Sequence, residues 1–247
     1  MKKISTIFLL LIPLLGVSQS TVFNWSDAGI KLKPTKRFTI SISGQYRWNV
    51  SDKIYSKTLF SAKLKYDIAK AFSIQASYRR AWMPNDYFYL DNQMNTYGHR
   101  FAAGFTWDLI QTIHSKSKSS LKYTAQIQKE FFKFKREQIY LRNKLELNLN
   151  IGLKRMKPFL SAESFYRTNQ LYQMVNNEII YTGFMNEMRY GFGFDFNLPN
   201  NHSLQIGTLY RDFKTNKYDA WVVQFSYFYT LEKKKEKASK TTGVPEF

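Results

Sequence analysis

The chain has 247 residues, a formal charge of +19 and a mean hydropathy of −0.43, and it contains no cysteine. Disulfides, thiolate metal sites and thiol nucleophiles are therefore excluded. No stretch after residue 20 approaches the roughly 20 consecutive apolar residues that a membrane-spanning helix needs. Aromatic residues nevertheless make up 17% of the chain, more than a soluble core of this hydropathy requires.

The elements explain that mismatch. Met1-Lys2-Lys3 precedes an apolar run from Ile4 to Leu15, broken only by Ser5, Thr6 and Pro13, and then the small-residue stretch Gly16-Val17-Ser18. This is the pattern of a secretory signal peptide, placed at residues 1–18. Residues 19–37 are expected as a periplasmic lead-in or an extra strand, since Ile30 and Leu32 alternate with Lys31 and Lys33.

From residue 38 onward, segments of about ten to fourteen residues alternate apolar with polar side chains, longer than ordinary globular strands. In the first, Phe38, Ile40, Ile42, Tyr46 and Trp48 share one face and Ser41, Ser43, Gln45 and Arg47 the other. Residues 58–68, 72–82, 99–109 and 121–130 repeat it, with Phe60, Ile74, Phe101 and Ile127 outward and Lys63, Gln75, Arg100 and Glu130 inward. Leu141, Leu145, Leu147, Leu149 and Ile151 then oppose Arg142, Lys144, Glu146, Asn148 and Asn150. Residues 158–167 and 184–197 follow, the second with Gly191 and Gly193 beneath outward aromatics. Two last strands carry Leu204 and Ile206, then Trp221, Val223, Phe225, Tyr227 and Tyr229, on the apolar face.

The fold expected is an all-β, transmembrane, antiparallel up-and-down β-barrel over residues 38–231, of ten strands, with twelve as the alternative. The longest connectors, Met83 to Gly98 and Thr168 to Gly183, fall on one side and the compact ones on the other. An even count puts both termini in the periplasm, and residues 232–247 are expected as a disordered basic tail.

Apolar faces outward leave the charges inward, where they need partners. Arg142, Lys144, Glu146, Glu163, Arg167, Glu187, Arg189 and Arg211 come from neighbouring strands and form the expected lumen charge network. Arg47, Arg79, Arg80 and Arg100 stand near strand ends and are the expected contacts to lipid phosphate. The only residue set suited to hydrolysis at an outer rim is His99 with Asp86 and Asp91. No metal-ligand spacing or phosphate-cradling glycine loop occurs, so no metal and no cofactor is expected. The basic residues line no single groove, so nucleic acid is not an expected partner. Outer-membrane lipid and the barrel assembly machinery are.

The ordered segments Gly44-Gln-Tyr-Arg-Trp-Asn, Ala76-Ser-Tyr-Arg-Arg, His99-Arg-Phe, Tyr140-Leu-Arg-Asn-Lys-Leu, Pro158-Phe-Leu-Ser-Ala-Glu-Ser-Phe-Tyr and Met188-Arg-Tyr-Gly-Phe-Gly carry a resemblance. Over roughly residues 24 to 231 the chain resembles the outer-membrane family catalogued as domain of unknown function 2490. That resemblance implies a secreted barrel of the outer membrane of Gram-negative bacteria, with no assigned reaction. The expected function is a side-chain-filled structural or surface-interaction barrel. A narrow channel for small solutes or ions and an outer-rim lipid or peptide hydrolase are the alternatives.

Overall fold

The computed structural model describes residues 21–51, 54–83, 96–113, 119–132, 135–153, 155–175, 178–213 and 219–232. Over these residues the chain forms β1 (Thr21–Lys33), β2 (Phe38–Asn49), β3 (Ile54–Asp67), β4 (Phe72–Met83) and β5 (Thr96–Asp108). A short helix α1 (Leu109–Ile113) leads to β6 (Ser120–Phe132), β7 (Lys135–Asn148), β8 (Met156–Val175), β9 (Glu178–Asn197), β10 (His202–Phe213) and β11 (Ala220–Glu232). Each strand pairs with its neighbours in the chain, and β11 returns to β1, so the sheet closes into a barrel. Closure leaves no unpaired sheet edge.

Every pairing is antiparallel except the seam, where β1 and β11 run parallel from Thr21↔Ala220 to Lys33↔Glu232. The expectation of ten strands, or twelve, is thus corrected to eleven: of the two readings of residues 19–37, lead-in or extra strand, residues 21–33 form the strand. Even parity holds only if the first and last strands meet antiparallel. A parallel seam permits an odd count and puts the start of β1 and the end of β11 at opposite ends of the barrel. Burial holds β1 in place. Trp25, only 4% exposed, packs with Leu209 and Val222 across the seam, with Phe23 against them. Gly29 lets β2 and β11 close in, because a Cβ there would stand 2.4 Å from the Ile42 carbonyl oxygen and 2.8 Å from the Phe228 ring.

Local chemistry sets the turns. Between β9 and β10, Asn200 and Asn201 both adopt positive φ (56° and 65°), which a tight hairpin turn demands and asparagine tolerates. Asp108 caps α1, its Oδ1 accepting the Gln111 N–H at 3.0 Å. Two further expectations change. The segment Thr168 to Gly183 is not a loop, because β8 and β9 keep pairing through it as far as Val175↔Glu178, with register shifts at Phe165/Tyr166 and beyond. Leu149, Asn150 and Ile151 lie past the end of β7. Residues 1–18, Asp86, Asp91 and residues 233–247 lie outside the described residues, while Glu232 ends β11 against Lys33.

The two faces have opposite chemistry. Ile42, Phe60, Phe101, Ile127, Leu160 and Tyr190 each leave about half their surface exposed on the outer wall. Inside, Gln75, Gln126, Gln128, Glu130, Glu163 and Glu187 are buried. Phe159 also points inward, against a gap left by Gly193 and Gly207, where a Cβ would meet its ring at 2.8 and 3.2 Å.

Candidate functional site

Alternation on β7 to β10 turns Arg142, Glu163, Arg189, Glu187 and Arg211 to the inside. Glu163 lies beside Arg189 in the β8–β9 register, and Arg189 beside Arg211 in the β9–β10 register. Two directly opposed arginines repel unless a carboxylate reaches both. Glu187 does so. Its Oε1 accepts Arg189 Nε at 2.7 Å and Arg211 Nε at 2.5 Å, and its Oε2 accepts Arg189 Nη2 at 2.9 Å. The Arg189 fork on Glu187 is bidentate, the arrangement that makes arginine pairs strong. Arg189 Nη1 also reaches Glu163 Oε2 at 3.3 Å, and Arg142 Nε donates to Glu163 Oε1. The result is an unbroken chain of alternating charge, Arg142–Glu163–Arg189–Glu187–Arg211, across four strands. Its carboxylates are 7% and 4% exposed, and each is matched by more than one donor, as burial of charge requires.

Polar residues extend the chain. Arg142 Nη1 donates to Gln126 Oε1 at 2.9 Å, which also accepts Gln128 Nε2 at 3.2 Å. Aromatic faces hold the guanidiniums from the other side. Arg189 lies 4.0 Å from the Phe165 ring centroid, and Arg47, Arg211 and Arg189 lie 3.7, 5.2 and 5.8 Å from that of Trp25. The ring of Trp25 thus meets cations from β2, β9 and β10, a stabilising use of an aromatic face.

Of the other residues expected in this network, Lys144 and Glu146 form a separate pair at 2.5 Å, with Asn148 Nδ2 on the second Glu146 oxygen at 3.0 Å. Arg167 stands apart, 6.0 Å from the Tyr140 ring, with its Nε buried and unpartnered.

The residues expected at lipid phosphate divide. Arg47, Arg79 and Arg100 point into the barrel: Arg47 Nε donates to Gln45, Arg79 Nε to Ser61, and Arg100 pairs with Glu130. Alternation sets their face whatever the position along the strand. Arg80 alone lies on the outer wall, 4.7 Å from the Trp82 ring. His99 is also on the outer wall, its Nδ1 2.7 Å from the Tyr78 hydroxyl.

Three features were missed in the sequence. Trp25 sat in a segment left as a lead-in or an extra strand. Lys57, which is level with Arg47 in the β2–β3 register, lay ahead of the strand expected from residue 58. Asp27 lay in the same segment and faces inward, with one carboxylate oxygen buried and unpartnered. The alternation Trp25, Asp27, Gly29, Lys31 against Ser26, Ala28, Ile30, Leu32 was the available signal.

No curated protein matches this chain. A family model does match it over residues 23–222, a span that opens inside β1 and ends on Val222, the β11 residue packed on Trp25. The chain belongs to the family described as Protein of unknown function (DUF2490).

Proposed function

We propose that this chain is an outer-membrane β-barrel, exported by its N-terminal signal segment, whose lumen is braced by its own side chains. It serves as a structural or surface-interaction barrel. The observation that carries this reading is the inversion of polarity, with large apolar side chains exposed all round the outer wall and paired carboxylates buried inside. Water would penalise that outer face, whereas lipid is its natural surroundings.

Dimensions and aromatic placement support it. A strand of 13 residues such as β6, tilted as in known barrels, spans roughly 30 Å of bilayer. Outward aromatics stand at both ends of the strands, and others, Tyr78 and Phe101 among them, stand mid-wall beside Ala62. Trp48, Trp82 and the Tyr210–Trp221 pair (5.1 Å) mark one end; Tyr66, Trp107 and the His202–Tyr229 pair (4.8 Å) mark the other. Aliphatic and small residues, among them Ile42, Ala62, Leu64, Ala76, Ala103 and Leu145, lie between. Aromatics at both strand ends suit the two interfaces of a membrane.

Protein refolded in detergent is expected to migrate faster on a gel before boiling than after, and to give a silent planar bilayer. Stepwise conductance altered by Glu146→Gln or Glu163→Gln would replace the structural reading with the channel. Absence of the heat-dependent shift would argue against the barrel itself.

A further inference from the structure

The brace occupies only part of the inner wall. On the arc from β2 to β4, cations are brought together without carboxylates to match. Arg47 and Lys57 are directly opposed in the β2–β3 register, and Arg79 and Arg100 in the β4–β5 register. Like charges so placed destabilise a sheet. At Arg189 and Arg211, Glu187 answers that repulsion. Here Arg100 has Glu130, but among the described residues Arg47, Lys57 and Arg79 form no salt bridge, and Lys57 forms no side-chain hydrogen bond either. Arg47 and Arg79 are held by neutral acceptors, Gln45 Oε1 at 2.8 Å and Ser61 Oγ at 3.0 Å, which orient the guanidiniums without cancelling their charge.

The surroundings add to the excess. The charges that act most on Arg47 are all positive, namely Arg79, Arg189, Arg211 and Arg100. Lys57 faces Arg47, Arg211 and Arg100, with Glu130 the opposing group, already bound to Arg100. Asp27 interacts electrostatically with Arg79 and Arg47, and it bonds Ser43. Lys63, also inward on β3, forms no side-chain hydrogen bond or salt bridge among the described residues and has Arg142, Lys65, Lys144 and Lys31 around it.

We propose that Arg47, Lys57 and Arg79, with Arg100 beside them, form a lumenal binding site for a soluble oxyanion carrying adjacent negative groups, such as a phosphorylated or polycarboxylic solute. The proposal rests on the barrel reading, since only a closed wall turns these side chains toward one another. Guanidinium forks match the planar edges of phosphate and carboxylate, and the ammonium of Lys57 adds a mobile point charge. Cations fixed in advance by neutral partners, at a cost in stability, are what a binding site retains and a merely structural wall discards.

Two measurements on the full-length mature chain, refolded in lipid-free detergent micelles, test the site. Inorganic pyrophosphate is expected to bind in calorimetry at low ionic strength and to raise the unfolding midpoint, as a ligand of the folded state must. The Lys57→Gln, Arg79→Gln double variant should bind about tenfold more weakly or worse. Without pyrophosphate, its midpoint should exceed that of the wild type, because repulsion has been removed. Arg80→Gln, on the outer wall, should bind as the wild type does. A wild-type barrel that shows the heat-dependent gel shift but binds no pyrophosphate overturns the site while leaving the barrel standing. A double variant less stable than wild type also overturns it, because the cations would then be structural. Loss of the gel shift in the wild type overturns the barrel reading and the site with it.

Discussion

Glu187→Ala is expected to lower the unfolding free energy of the refolded barrel by about 3–5 kcal/mol, the cost of removing one partner from a buried ion network. Glu187 is the only carboxylate that touches both Arg189 and Arg211 among the described residues. Removing it leaves those guanidiniums directly opposed across β9 and β10. Adding Arg211→Ala to that background should recover part of the loss, because one of the two repelling charges goes with it. The exposed Lys33–Glu232 pair, 2.6 Å apart, is the internal control, and Lys33→Ala should cost no more than about 1 kcal/mol. Urea titration followed by the heat-dependent gel shift measures all three. Equal effects at Glu187 and Lys33 would mean that the network does not brace the lumen.

Trp25→Ala should be about as damaging, by roughly 3–5 kcal/mol for a buried large aromatic. The loss combines the cavity against Leu209 and Val222 with the face on which Arg47, Arg189 and Arg211 rest. It also falls on the seam, so β1 should loosen from β11 before the rest of the wall. The absence of native cysteine makes the seam easy to test. Ala28 and Tyr227 are paired across it, so Ala28→Cys with Tyr227→Cys should form a disulfide on oxidation, within the Cα separation of about 4.4–6.8 Å that such bonds span. Trp25→Ala should slow that reaction's protection against unfolding. A disulfide between Ile42→Cys and Tyr227→Cys instead would place β2 beside β11 and restore the ten-strand arrangement.

Much of this was legible in the sequence because a strand has a period of two. Alternation alone separated Phe60, Ile127 and Leu145 from Lys63, Gln126 and Glu146, and it placed Arg142, Glu163, Glu187, Arg189 and Arg211 on one inner surface. Its failures have physical causes. Period two identifies a face but not a partner strand, so the parallel return of β11 to β1 was invisible, and an assumption of even parity left the segment of Trp25 and Asp27 between a lead-in and an extra strand. The β8–β9 extension was missed because the alternation between Thr168 and Gly183 is irregular, and the pairing there carries register shifts at Arg167/Gln170 and Gln170/Gln173. Arg47, Arg79 and Arg100 were assigned by nearness to strand ends, and their partners Gln45, Ser61 and Glu130 lie on the inner face. The bonds within the lumen depend on register between strands, which no single strand encodes.

Quenching of single-tryptophan variants by lipids brominated along their acyl chains tests most directly whether lipid meets the outer wall and protein fills the inner one. The chain has five tryptophans; one variant keeps only Trp107, 42% exposed on the outer wall, and another keeps only Trp25, 4% exposed inside. In reconstituted vesicles the brominated lipid should quench Trp107 strongly and leave Trp25 bright. Quenching of Trp25 with Trp107 spared would place the apolar wall away from lipid and contradict the membrane barrel.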